Sequence, residues 1–77
     1  MHQFQIIIRS FSEVKEFISM ATVQPFRVLV GNSAQMVNAK SFIGMLSLDF
    51  SGPLNVVCDA DAESVTVFRC QASRFLA

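Results

Sequence analysis

The sequence predicts an α+β domain with the element order βαββαβα, in which three helices cover one face of an open four-stranded antiparallel sheet. Three observations predict it. Segments with strand composition alternate along the chain with segments of helical spacing. A reversing turn predicted at 31–33 joins two strands into an antiparallel hairpin. With 77 residues, the chain has room for one core, so we expect a single domain over residues 1–77.

The first strand is predicted at 3–9 (QFQIIIR), which is rich in β-branched and aromatic residues. Ser10 or Ser12 can then cap a helix, and Ser10 with Glu13 has the spacing of a capping box, which indicates the start of that helix. The helix should end near Ala21, since Pro25 and the residues before it disfavour its continuation. The apolar residues at helical spacing are Phe11, Val14, Phe17, Ile18 and Ala21.

The second strand is predicted at 26–30 (FRVLV), and the segment 31–33 (GNS) contains residues that tolerate the positive φ of a tight turn. The third strand, at 34–38, is shorter and less hydrophobic, as is typical of an edge strand. Ser41 can act as the N-cap of a helix of about two turns at 41–48.

The fourth strand is predicted at 54–59 (LNVVCD). Asp59 or Asp61 can cap the last helix, near whose C-terminus Arg69 and Arg74 complement the helix dipole without any ligand. The predicted buried face of this helix comprises Val65, Phe68, Ala72, Phe75 and Leu76.

Composition excludes several classes of function. The chain is 52% hydrophobic and 16% charged, which indicates a folded core. Six basic and six acidic residues cancel, with no basic run, so we expect no nucleic-acid partner and no membrane partner. Apolar runs such as 6–8 are far shorter than a membrane span. The start of the sequence has no pattern of a secretory leader, so a cytoplasmic location is expected.

The residues that could carry chemistry are few. Cys58 and Cys70 are expected to be buried thiols, because their spacing fits neither a disulfide scaffold nor a CxxC pair. His2, the single histidine, is expected to be an exposed tail residue. We expect no metal and no cofactor. No catalytic triad, carboxylate pair with a nucleophile, or glycine-rich phosphate loop is found, so the sequence predicts that the protein is not an enzyme.

The segment 37–48 (VNAKSFIGMLSL) resembles the HPr family, the phosphocarrier proteins of the bacterial sugar phosphotransferase system. The likeness continues through a glycine-containing turn and the fourth strand to Asp61-Ala62-Glu63 at the start of the last helix. The family has the βαββαβα order that the residues predict independently. The resemblance therefore implies an HPr-like fold and a relation to sugar transport.

The chain departs from the family at the first helix. HPr proteins carry a Gly-Leu-His-Ala-Arg-Pro loop there, and its histidine accepts and passes on a phosphoryl group. Here a shorter connection contains Arg9, Ser10 and Ser12 and no histidine. A serine phosphoester is too stable to pass its phosphoryl group on readily, and a lone Arg9 can hold an anion but is more typical of a solvated rim. We therefore expect a degenerate member without the phosphocarrier site.

The predicted second helix carries two further candidates. Ser41 matches a position that HPr proteins of some bacteria phosphorylate for regulation, although an N-cap role explains a serine there equally well. A two-turn helix on a sheet buries only one side, so one of two apolar sets must be exposed. The sets are Met45 with Leu48, and Phe42, Ile43 and Leu46. The resemblance implies that the second set binds partner proteins; the alternative is packing under a loop or in a dimer.

Three functions remain open from the sequence. The first is a regulatory or protein-binding module that acts through Phe42, Ile43 and Leu46, with partners among phosphotransferase-system or catabolite-regulation proteins. The second is an active phosphocarrier with a non-standard site. The third is a self-associating structural domain, suggested by an apolar first strand that can offer a sheet edge. A monomer or a weak homodimer is expected.

Overall fold

A computed structural model describes residues 2–77 of the chain. Every predicted strand and helix is present, in the predicted order, with ends that differ by a few residues. None of the helices within the described residues combines the length and hydrophobicity needed to cross a membrane. In chain order the elements are β1 (His2–Ile6), α1 (Phe11–Thr22), β2 (Val28–Gly31), β3 (Met36–Asn38), α2 (Phe42–Leu46), β4 (Leu54–Cys58), α3 (Ala62–Gln71) and a 3₁₀ turn (Ser73–Phe75).

The four strands form one sheet in the order β1-β4-β2-β3, and each neighbouring pair is antiparallel. The register places Phe4 and Val30 on either side of Val56, so these side chains share the face that the helices cover. Residues on the other face are mostly exposed or half-buried. The predicted two-layer α+β fold is confirmed. The buried hydrophobic strand residues are Phe4, Ile6, Val28, Val30, Leu54, Val56 and Cys58.

Phenylalanine rings make up much of the core between the helices and the sheet. The Phe68 ring centroid lies 5.9 Å from those of Phe4 and Phe17 and 6.0 Å from that of Phe26. Phe17 also meets Phe75 edge-on, at 5.8 Å and 89°. Edge-to-face contacts are favourable because the positive ring edge meets the negative ring face. The cluster therefore ties α1 and α3 to β1.

The hairpin between β2 and β3 does not use the predicted turn. Gly31 belongs to β2, and no residue within 2–77 has a positive φ, so the expected positive-φ turn at 31–33 is wrong. Instead, Asn32 Oδ1 accepts hydrogen bonds from the peptide N–H groups of Ala34 at 2.9 Å and Gln35 at 3.1 Å. The asparagine side chain thus closes the loop without a left-handed residue.

Replacement by alanine should change the stability of the fold in opposite directions at Gly31 and Gly52. A Cβ on Gly31 would lie 1.9 Å from the Gln35 carbonyl oxygen, so we expect Gly31→Ala to destabilise the fold by about 1–3 kcal/mol. A Cβ on Gly52 meets nothing within 4 Å, and its φ is not positive. Gly52→Ala should therefore stabilise the fold by about 0.4–1 kcal/mol, by restricting the unfolded chain. Urea denaturation of both variants checks this; equal midpoints would contradict it.

The end of the chain follows a different path from the predicted one. α3 ends at Gln71, so Phe75 enters the core from the 3₁₀ turn, and Leu76 forms an antiparallel bridge with Ile6 instead of lying on a helix. Part of the outer edge of β1, the edge suggested for self-association, is therefore already paired within the chain. The bonds are Ile7 N–H to Phe75 O at 2.7 Å and Ala77 N–H to Gln5 O at 3.1 Å.

The two arginines near the chain end have different environments. Arg69 lies in the last turn of α3, as predicted. Arg74 lies beyond α3 in the 3₁₀ turn, where its guanidinium pairs with Glu16 of α1 and lies 4.8 Å from the Phe75 ring centroid. The expectation that Arg74 complements the dipole of the last helix is therefore wrong, because that helix has already ended.

The two cysteines also differ. Cys58 is buried in β4, and burial raises the pKa of its thiol to about 11, because desolvation disfavours the thiolate. Cys70 is exposed on α3, so the expectation that it is buried is wrong. The buried residues of α3 are Val65 and Phe68, both of which the sequence places on its buried face.

A thiol reagent should distinguish these positions. At about pH 8 we expect the folded protein to react at Cys70 alone, since the thiol of Cys70 is exposed to the reagent and that of Cys58 is buried. Cys58 should react after unfolding in denaturant. The measurement is the number of thiols modified in each state, with Cys70→Ser as the control that removes the reaction of the folded protein. Rapid modification of Cys58 in the folded Cys70→Ser variant would contradict the assignment.

Candidate functional site

The start of α1 is formed by the predicted capping box. Ser10 has an extended backbone, and its Oγ accepts a hydrogen bond from the Glu13 N–H at 3.2 Å. Glu13 Oε1 in turn accepts a hydrogen bond from the Arg9 N–H at 2.7 Å. Ser12 is exposed in the first turn. The negative charge of the Glu13 carboxylate therefore lies in the first turn of α1, near the positive end of the helix dipole.

The side of α2 that faces outward is decided by the burial of Met45 and Leu48. The opposite side is exposed, and the Ile43 side chain is the most exposed of its large apolar residues, at 81%. Together with one residue of α1, this side forms a continuous apolar surface, which we term the α1–α2 patch. Its members are Phe11, Phe42, Ile43 and Leu46.

Phe11 is the member of the patch that the sequence assigned to the buried face of α1. The structure leaves it 58% exposed. Its ring meets that of Phe42 at 6.1 Å and 75°, an edge-on contact that joins the two helices. Helical spacing alone aligns Phe11 with Val14. As the first residue of α1, however, Phe11 packs against α2 rather than under its own helix.

A groove of about 610 Å³ lies beside the patch. Its walls come from four segments: the connection between β1 and α1, the first turn of α1, the end of α2, and the loop that follows α2. Most of the lining is apolar, with Arg9, Ser10 and Ser51 as its polar residues. The apolar lining residues are Ile7, Ile8, Phe11, Val14, Leu46 and Phe50.

The charges around the groove are unequally engaged. Both nearby carboxylates accept backbone hydrogen bonds: Glu13 from Arg9, and Asp49 from the Ser51 N–H at 2.9 Å. The bond from Ser51 lowers the pKa of Asp49 below its ordinary value, because it stabilises the ionised form. Within residues 2–77, no carboxylate pairs with Arg9 or Lys15, and Lys15 Nζ lies 5.7 Å from the Phe11 ring centroid.

Ser41 caps α2 as predicted. Its Oγ accepts a hydrogen bond from the Gly44 N–H at 3.1 Å. The side chain is half-buried, and a Cβ on Gly44 would lie 3.2 Å from this oxygen. The hydrogen bond of the cap accounts for the serine at position 41, and the short distance to its oxygen accounts for the glycine at position 44. Phe42 and Ile43 of the patch follow Ser41 directly in the chain.

The expectation that His2 lies in a tail is wrong. His2 is the first residue of β1 and pairs with Cys58 of β4. It is exposed, as expected. α1 begins after the other end of β1, and the strand between His2 and Ile6 alone spans roughly 13 Å. His2 lies near Asp61, the N-cap of α3, and contributes to the lowered pKa of Asp61, whose main cause is the hydrogen bond from the Ser64 N–H.

Within the described part of the chain, no three His, Cys, Asp or Glu side chains are close enough together to hold a metal ion. The arrangement offers apolar contact area, an arginine and serine hydroxyls. These groups can bind a ligand by contact and by charge.

Among the solved structures that this chain resembles is an HPr protein. The crystal structure of HPr-C-His from Thermoanaerobacter tengcongensis superposes with a TM-score of 0.76 at 21% sequence identity, and the match covers 95% of this chain and 92% of the other. The chain has an HPr-like fold. No protein-family model matches the sequence, and no curated protein matches it either. The structural likeness covers nearly the whole length of both chains, including the N-terminal half.

Proposed function

We propose that this protein is an HPr-like protein-binding module of the phosphotransferase system that does not carry a phosphoryl group on histidine. The observation that carries the proposal is the α1–α2 patch, which exposes four large apolar side chains on an HPr-like fold. Isolated exposed apolar residues are ordinary, but a continuous group of them favours a docking surface. The proposed partners are proteins of the phosphotransferase system or of catabolite regulation.

Two features of the α1 start support the absence of carrier chemistry. Histidyl phosphotransfer needs an imidazole nitrogen at a site that stabilises the incoming anion. The single histidine is at the far end of β1. The Glu13 carboxylate lies in the first turn of α1, and its negative charge would repel a phosphoryl group at this end of the helix.

Ser41 is the proposed regulatory position. A phosphate there would add a charge of about −1.5 to −2 beside Phe42 and Ile43. A dianion next to apolar side chains raises the cost of desolvating them in a protein interface. Phosphorylation is therefore expected to weaken docking at the patch. The N-cap role of Ser41 is compatible with this, because a helix N-terminus tolerates negative charge.

The test uses the first enzyme of the phosphotransferase system with phosphoenolpyruvate. We expect the purified protein to bind this enzyme and to acquire no acid-labile phosphate. An HPr that carries the histidine loop is the positive control in the same reaction. Acid-labile phosphate on this chain would overturn the proposal and favour an active carrier with a non-standard site.

Self-association remains the other alternative. It was suggested by the edge of β1, and the pairing of Leu76 with Ile6 leaves less of that edge available. Light scattering at two concentrations distinguishes a monomer from a concentration-dependent dimer.

A further inference from the structure

The face of the sheet that the helices leave uncovered, which we term the open face, has no charged side chain within its strands. The six basic and six acidic residues of the chain all lie outside β1, β2, β3 and β4. Charged residues are depleted at the centres of protein interfaces, because burying them there costs hydration. In this respect the open face is typical of an interface centre rather than of a surface that stays in water.

The open face has an apolar middle with amide side chains on both sides of it. One row of side chains runs across all four strands and consists of Gln3, Val57, Leu29 and Asn38. Val57 and Leu29 are half-buried neighbours on the two central strands, β4 and β2. A side-chain amide both donates and accepts hydrogen bonds, so it can pair with another amide. The row can therefore contact a second row of the same composition.

Two charges of opposite sign lie at one end of the open face. Arg27 precedes β2 and Asp59 follows β4, and the Asp59 N–H donates to the Arg27 carbonyl at 3.0 Å, so the two residues are opposite each other. Each is two residues from Leu29 or Val57, and side chains alternate between the faces of a sheet, so both point to the open face. Both are exposed, and within residues 2–77 neither forms an ion pair.

The strand order makes the open face complementary to itself. In the order β1-β4-β2-β3, the centre of the sheet lies between β4 and β2. A twofold axis along the strands at this centre places β4 of one copy on β2 of the other. Leu29 then faces Val57 of the second copy, and Arg27 faces its Asp59. Sheets packed face to face lie about 10 Å apart, a distance that an arginine and an aspartate together can span.

We infer that two copies of this chain pair through their open faces, with Leu29 against Val57 at the centre and Arg27 against Asp59 at one end. By symmetry each contact occurs twice. A different protein would have to offer an apolar centre and the opposite charges at matching places, whereas a second copy supplies both. Pairing of this kind does not use the edge of β1. It goes beyond docking at the α1–α2 patch, because the helices of both copies face outward and a dimer presents two patches.

The size of the open face predicts a weak dimer. Four strands about 4.8 Å apart, with about five residues each at about 3.4 Å, cover about 320 Å² on each copy. An interface of this size is in the range of transient contacts rather than of permanent dimers. We therefore expect a dissociation constant of about 0.1–1 mM.

The test is an NMR dilution series of the ¹⁵N-labelled full chain at low salt, from about 1 mM to about 0.05 mM. Concentration-dependent shifts are expected at the amides of residues 27–31 and 55–59, with slower tumbling at the higher concentration. The amides of α1 and α2 should not shift. A chain that stays monomeric at about 1 mM would overturn the inference. Shifts confined to the α1–α2 patch or to β1 would also overturn it, since they would place the contact elsewhere.

Charge reversal tests the contact between Arg27 and Asp59. Arg27→Glu and Asp59→Arg should each weaken self-pairing about tenfold, because each puts like charges opposite each other across the interface. A mixture of the two variants has opposite charges at both contacts. The shifts of labelled Arg27→Glu should therefore return when unlabelled Asp59→Arg is added, and this recovery requires contact between chains.

Arg69→Glu is the matched control. It makes the same change of charge as Arg27→Glu, but on the exposed surface of α3, outside the open face, so pairing should be unchanged. The amide spectra show whether the variants are folded. A mixture that does not recover, or an equal loss in Arg69→Glu, would contradict the inference. Docking at the α1–α2 patch is measured separately with the first enzyme, so a monomeric chain would leave the proposed function intact.

Discussion

A glutamate in place of Ile43 is expected to weaken binding of the proposed partner, the first enzyme of the phosphotransferase system, about thirtyfold. Ile43 is the most exposed member of the α1–α2 patch. In a docked complex a central apolar side chain of this kind contributes about 2 kcal/mol or more, and a carboxylate there would have to be desolvated without a partner. The fold should be unaffected, because Ile43 contributes little to the core.

The matched control is Val67→Glu. Val67 is also a large apolar residue, 54% exposed, but it lies on α3 outside the patch. Isothermal titration of wild type and both variants measures the three affinities. An unchanged affinity of Ile43→Glu, or an equal loss in Val67→Glu, would show that binding does not use the patch.

Phe68→Ala should have the largest effect on stability. The Phe68 ring contacts three other phenylalanine rings at about 6 Å and joins α3 to α1, β1 and the segment before β2. Removing it leaves a cavity and loses apolar burial, which together cost about 3–5 kcal/mol. A domain of this size has a total free energy of unfolding of about 5–15 kcal/mol. For a domain at the lower end of this range, such a loss produces a substantial unfolded population at physiological temperature.

Thermal denaturation followed by circular dichroism measures this loss. The neighbouring Val67→Ala is the control, and its stability should change by no more than about 0.5 kcal/mol, as is usual for exposed positions. The two positions are adjacent on one helix and differ mainly in burial. A loss below about 1 kcal/mol in Phe68→Ala would mean that the aromatic cluster is not the centre of the core.

The two effects separate stability from function. The residues that hold the fold together lie between the helices and the sheet, whereas the patch lies outside this core. A variant of the patch should therefore lose binding without losing stability. A variant of the core should lose stability, and its binding should fall in proportion to the fraction of unfolded protein.

Features encoded by neighbouring residues were predictable from the sequence. The caps Ser10, Ser41 and Asp61 each bond with the peptide N–H three residues later, a pattern that the side chain and its nearest backbone determine together. The apolar periods of α1 and α3 likewise identify Phe17 and Phe68 as buried. From these local signals follow the order of the elements and the fold class.

Other features required the packed chain. Helical spacing could not tell which side of α2 faces outward, nor that the Phe11 side chain, at the start of α1, packs against Phe42 of α2. The pairing of Leu76 with Ile6, across most of the chain length, has no local signature either. Helical and strand periods depend on interactions within a few residues, but the exposure of a side chain depends on which distant element covers it. The elements and their caps are thus determined locally, while the patch, the groove and the position of His2 relative to α1 are decided only when the helices pack on the sheet.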